Sequence, residues 1–232
     1  MTPQEFQAYQ QQGFNRIPLY KEVLADLDTP LSTYLKLANG PYTYLFESVQ
    51  GGEKWGRYSF IGLPCKTVIK ITEHTIQTVT DNEVIDSIES EDPLAWIEQY
   101  QQNFNACQVE GLPRFTGGLV GYFGYETIGF IEPRLEDTSK PDPLGTPDIL
   151  LMLSEEVVVF DNLSGKLMII VYVDSSEKDA YQVGQDRIKQ IEFDLRHKAP
   201  AYEPIATSIK VNESDFISGF TEQGYKDAVA KS

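Results

Sequence analysis

A chain of 232 residues has room for one large domain or two small ones. With 41% hydrophobic and 12% aromatic residues it can build a sizeable core, which excludes disorder as its main state. Thirty-five acids against nineteen bases leave a net charge of −16, which nucleic acid and anionic lipid would repel, so neither is expected as a partner. No apolar run approaches the roughly 18–20 residues of a membrane span. The start, Met-Thr-Pro-Gln-Glu, has no basic or apolar leader pattern, and the expected compartment is the cytoplasm.

In chain order, Thr2-Pro3-Gln4-Glu5 opens a helix with a capping box. Thr29-Pro30 opens a second. There Leu31, Tyr34, Leu35 and Ala38 recur at helical spacing before Asn39-Gly40 stops it. Thr43–Glu47, Tyr58–Ile61, Thr67–Ile71 and Thr75–Thr80 are β-branched and aromatic and read as strands, with a turn at Asp81-Asn82. Asp92 caps a third helix, with Leu94, Ile97, Tyr100 and Phe104 on one face. The glycine-rich run Phe115–Tyr125 reads as a strand. Glu132–Pro147, with four prolines, reads as a surface loop. Three apolar runs follow: Ile149–Leu153, Val157–Phe160 and Leu167–Val173. The last two form a hairpin across Asp161–Lys166. A fourth helix runs from about Glu177 to Arg196, before a linker-like stretch at Lys198–Pro204. Strands in consecutive groups predict an α+β fold with a mostly antiparallel sheet. Near the end, Phe216, Phe220, Tyr225, Ala228 and Val229 begin a helical face. The pattern fits either a helix cut short or a frayed terminus.

Little here promises chemistry. Cys65 and Cys107 form no C-x-x-C, and His74 and His197 have no neighbouring ligand, so no metal site is expected. Gly117-Gly118-Leu119-Val120-Gly121 lacks both the dinucleotide and the P-loop order. Glycines in a strand more simply allow close backbone approach. No G-x-S-x-G or H-E-x-x-H occurs. The segment Phe46-Glu47-Ser48 ends one apolar strand, and Arg57-Tyr58-Ser59 begins the next after a glycine-rich connector. An acid, a cation and two hydroxyls at one strand mouth can grip a zwitterion, the carboxylate taking an ammonium and the cation and hydroxyls a carboxylate. The same residues also read as a Glu–Arg pair on a sheet edge, which is the plainer reading.

Four segments occur in order: Ile17-Pro18-Leu19-Tyr20, Leu45-Phe46-Glu47-Ser48-Val49, Gly56-Arg57-Tyr58-Ser59-Phe60-Ile61-Gly62 and Phe115–Glu126. Together they make the chain resemble the N-terminal region of the anthranilate synthase component I family of chorismate-utilising enzymes. A folate-pathway relative, aminodeoxychorismate synthase component I, shares a weaker form of the pattern, and a stand-alone amino-acid-binding module is the alternative from another class. The resemblance implies orthogonally packed, mostly antiparallel β-sheets with flanking helices, as the N-terminal part of a two-domain enzyme. It implies residues 1–211 as a regulatory, tryptophan-binding region and 212–232 as the start of a chorismate-binding region that is truncated here. The implied activity makes anthranilate and pyruvate from chorismate and ammonia. The ammonia comes from glutamine through an amidotransferase subunit, component II, and magnesium serves the full-length enzyme. No catalytic residue, metal or cofactor is then expected in this region. The implied ligand is L-tryptophan, a feedback inhibitor, at Phe46, Glu47 and Ser48. Phe46 replaces the family's usual leucine there. Arg57 and Ser59 join by neighbourhood.

Overall fold

The computed structural model describes residues 1–47, 56–132, 134–135, 142, 144–200 and 210–231. It divides into two compact units, Met1–Ala201 and Tyr202–Ser232. The smaller unit carries a short 3-10 turn, Glu213–Asp215, and helix α5, Glu222–Lys231.

The larger unit begins with α1, Pro3–Gln11. The Thr2 hydroxyl accepts from Glu5 N, and the Glu5 carboxylate accepts from Thr2 N at 2.6 Å, which completes the expected capping box. Strand β1, Arg16–Leu24, follows. Helix α2, Pro30–Leu37, repeats the box with Ser32 in the third position. Next come β2 (Tyr44–Phe46), β3 (Tyr58–Gly62), β4 (Thr67–Thr72), β5 (Thr75–Thr80) and β6 (Glu83–Glu89). Helix α3, Pro93–Gln102, is capped by the Asp92 carboxylate accepting from Ala95 N at 2.9 Å. It ends before Phe104, so that residue belongs to the following loop. Strand β7, Gly118–Phe123, leads into a 3-10 helix, Tyr125–Phe130. The unit closes with β8 (Ile149–Ser154), β9 (Glu156–Asp161), β10 (Lys166–Asp174) and α4 (Ala180–His197).

The strands form two five-stranded sheets, ordered β1-β10-β9-β3-β2 and β6-β5-β4-β8-β7. Every ladder within them is antiparallel. With helices flanking the sheets, this is the expected α+β class. β9 and β10 form the expected hairpin, and Asp81-Asn82, both at positive φ, join β5 to β6.

The two-residue period of a strand sorts the core. In β9 and β10, Val158, Phe160, Leu167, Ile169 and Val171 face Ile188, Ile191 and Leu195 of α4. Their neighbours Val157, Val159, Met168 and Ile170 pack on the opposite face with Tyr58 and Phe60. In the second sheet Ile69, Ile71, Ile149 and Leu151 pack with Ile97 of α3. Val68, Val120 and Met152 meet Tyr44, Phe60 and Phe115. The central runs are therefore apolar on both faces because both faces are covered.

Two strands lie outside the segments that read as strands from sequence. β1 contains Pro18, which argues against a strand. It forms because β1 is an edge strand, so a missing N–H interrupts no central ladder. β6 lies at the edge of the second sheet with nearly every residue exposed, so it shows no apolar alternation. The glycine-rich strand is shorter than its apolar run, at Gly118–Phe123.

Candidate ligand-binding site

β2 and β3 pair with Tyr44 opposite Gly62, Leu45 opposite Ile61 and Phe46 opposite Phe60. This register brings aromatic rings together at one sheet corner. Tyr44 and Phe46 have centroids 4.8 Å apart, Phe60 and Phe115 5.2 Å, and Tyr58 and Phe60 6.1 Å. Tyr44 is buried, and its hydroxyl forms a 2.8 Å hydrogen bond with Ser154 Oγ, tying the first sheet to the second. Burial pushes the Tyr44 phenol up to about 12. Phe46 is 50% exposed, so the shelf has one open apolar edge. Glu47 follows it directly and is exposed. Ser48 lies outside the described residues.

Arg57 and Ser59 are brought together, and their partners come from the β9–β10 turn. Arg57 Nε donates to Asp161 Oδ1 at 3.0 Å and Nη2 to Oδ2 at 2.6 Å. The guanidinium also lies 4.9 Å from the Tyr58 ring centroid. Asp161 is buried, and its Oδ1 accepts from the backbone N–H groups of Leu163 and Ser164. The Arg57 hydrogen bonds, aided by those from Ser164 and Leu163, hold the Asp161 carboxyl down to about 2. Ser59 is 2% exposed, and its hydroxyl accepts from Asn162 Nδ2 at 3.1 Å. The β2–β3 pairing sets Phe46 opposite Phe60, with Glu47 just beyond the ladder, while Arg57 and Ser59 turn to the β9–β10 residues Asp161 and Asn162. Asp161 and Asn162 were legible only as turn residues. The sequence signal, Asp-Asn before Leu-Ser-Gly, marks a hairpin and says nothing of a partner about a hundred positions away.

A cavity of about 620 Å³ lies elsewhere, at the junction of the two sheets and α4. Its Arg187 is committed to Glu156 through two 2.7 Å hydrogen bonds. Its Glu155 lies 3.5 Å from Arg16 Nε, with its carboxyl raised by burial. The charges of those two pairs are spent on one another, whereas the strand mouth presents an open aromatic edge at Phe46. The glycine run is a close-approach device. A Cβ at Gly121 would lie 1.8 Å from the Leu150 carbonyl oxygen on the paired strand. Among the described residues no group of three or more His, Cys, Asp or Glu side chains is placed to hold a metal ion. The described residues therefore do not fit magnesium. No helix among the described residues is long and apolar enough to cross a membrane.

Two antiparallel sheets with flanking helices make this an α+β protein, with an aromatic corner at the β2–β3 strand mouth. The family model for chorismate binding enzymes matches residues 43–232, and the chain belongs to that family. It is 50% identical over its whole length to anthranilate synthase component 1 of Neisseria meningitidis serogroup C and 48% identical to that of Pseudomonas aeruginosa. It is 37% identical over 95% of its length to the Aquifex aeolicus protein of the same name. The chain spans about half the length of these relatives, 47% of each of the first two. A crystal structure of anthranilate synthase component I from Streptococcus pneumoniae shares the fold at a TM-score of 0.50 and 24% identity. That match covers 77% of this chain and 37% of the other.

Proposed function

We propose that this chain is part of an anthranilate synthase component I and carries its L-tryptophan feedback site. The observation behind the enzyme assignment is the half-identity to proteins of that name across the full length of the chain. The whole protein would convert chorismate and ammonia to anthranilate and pyruvate, with magnesium. Its partner would be a glutamine amidotransferase subunit that supplies the ammonia. The chain spans 47% of the first two relatives, and by itself it is proposed to make no anthranilate.

The feedback site is proposed at the strand mouth. Phe46 presents an apolar edge to the indole, Glu47 takes the ammonium and Ser48 the carboxylate, while Arg57 and Ser59 form the wall behind them. What supports this is the half-exposed Phe46 beside Tyr44, next to an exposed Glu47. The test is inhibition of the full-length enzyme. Ser48→Phe fills ligand volume and leaves a ligand polar group unpaired, a cost of about 1–3 kcal/mol. The tryptophan inhibition constant should rise roughly tenfold to a hundredfold. An inhibition curve unchanged from wild type places the pocket elsewhere.

A further inference from the structure

We infer that Asp161 is a positioning residue of this strand mouth and that Arg57 serves Asp161 rather than a ligand carboxylate. Among the described residues the mouth then reads a ligand's ring and ammonium group. The inference rests on the feedback-site reading above and deepens it by naming which part of the ligand this chain recognises.

Both oxygens of Asp161 are met by Arg57, at 3.0 and 2.6 Å, in the fork-to-carboxylate geometry that suits a guanidinium best. A ligand carboxylate arriving at Arg57 would compete with a partner already in place, and would meet a pair of no net charge. Asp161 is also held from its own side, by the N–H groups of Leu163 and Ser164 at 3.1 and 3.3 Å. The next residue extends the clamp. Asn162 N donates to the Arg57 carbonyl at 2.8 Å, and Asn162 Nδ2 lies 3.3 Å from the Gly56 carbonyl and 3.1 Å from Ser59 Oγ. The β9–β10 turn thus grips Gly56, Arg57 and Ser59, and it takes up the Ser59 hydroxyl as well as the guanidinium. Among the described residues of the mouth, the exposed Glu47 and the half-exposed Phe46 beside Tyr44 stand outside this clamp. Glu47 enters no ion pair with another described residue. An exposed carboxylate one residue along from a half-exposed aromatic ring can receive an ammonium group carried on an apolar body.

The experiment is calorimetric titration of the full-length protein with three probes: L-tryptophan, tryptamine, which lacks the carboxylate, and indole-3-propionate, which lacks the ammonium. Wild-type protein should bind tryptophan and tryptamine and discriminate against indole-3-propionate. Arg57→Gln should weaken tryptophan and tryptamine by the same factor, about tenfold for the loss of a charged hydrogen-bonded pair that sets the wall. Asp161→Asn should reproduce that loss, and the double variant should be no worse than either single one. Asp161→Glu keeps the charge and should recover most of the affinity, which a loss of general fold integrity would not allow. Thermal melting of each variant confirms that it is folded. Selective loss of tryptophan at Arg57→Gln, with tryptamine unchanged, would show that Arg57 holds the carboxylate and would overturn the inference. So would unchanged tryptophan binding by Asp161→Asn. Wild-type protein that binds none of the three probes removes the feedback site itself, an outcome distinct from either of these.

Discussion

Asp161 has a carboxyl held at about 2 by Arg57 and by turn N–H groups. In an unfolded chain an aspartate titrates near 3.9. Between about pH 4 and about pH 2, the unfolded chain binds a proton that the folded chain refuses. The stabilisation is therefore complete above the unfolded value and is lost as pH falls through the folded one. Asp161→Asn removes this dependence. Urea-unfolding free energies measured down that window should fall less steeply for the variant than for wild type. Equal slopes would mean that Asp161 carries no such linkage. The same residue marks the limit of local reading. Its turn was legible from Asp161-Asn162 and the glycine after them, because turn chemistry is local. Its bond to Arg57 was not, because nothing in either segment's spacing encodes a partner brought near by strand pairing. The Glu47–Arg57 pairing suggested by proximity along the chain gives way to Asp161 for this reason.

At the scale of elements, the pairing of β2 with β3 depends on a slot. Gly62 faces Tyr44, and a Cβ there would lie 2.0 Å from the Tyr44 ring. The ring cannot step aside without breaking its hydroxyl bond to Ser154. Gly62→Ala should therefore cost about 1–3 kcal/mol by overpacking. Chemical denaturation would show it as a lower midpoint with an unchanged slope, and a midpoint equal to wild type would mean that the corner is loose. Helices with their own start signals, α1, α2 and α3, were legible because capping is written within four residues. The buried central strands were legible from their apolar runs. β1 and β6 were not, for a shared physical reason. An edge strand is paired on one side only, so it tolerates Pro18 in one case and exposed acids in the other, and these erase the strand pattern.

At the scale of the molecule, β7 is the outer strand of its sheet, and the apolar side chains of Tyr122, Phe123, Tyr125 and Ile131 around it are exposed. An apolar sheet edge of this kind invites self-association. The net charge of −16 opposes contact, but physiological salt screens it beyond about 8 Å. Light scattering on this chain should show a monomer at low salt and larger species at physiological salt, with Phe123→Lys reversing the change. A wild-type chain that stays monomeric at both would show that the edge is protected.

The two sheets are joined with very little slack. β8 ends at Ser154 in one sheet and β9 begins at Glu156 in the other, so a single residue, Glu155, is all the chain between them. Such a joint behaves as a crank rather than a tether. β3 lies against β9, and β7 against β8, on opposite sides of that joint. With no loop between them, β8 and β9 hold the two sheets on one continuous run of backbone, and β3 of the aromatic corner is a single ladder away from that joint.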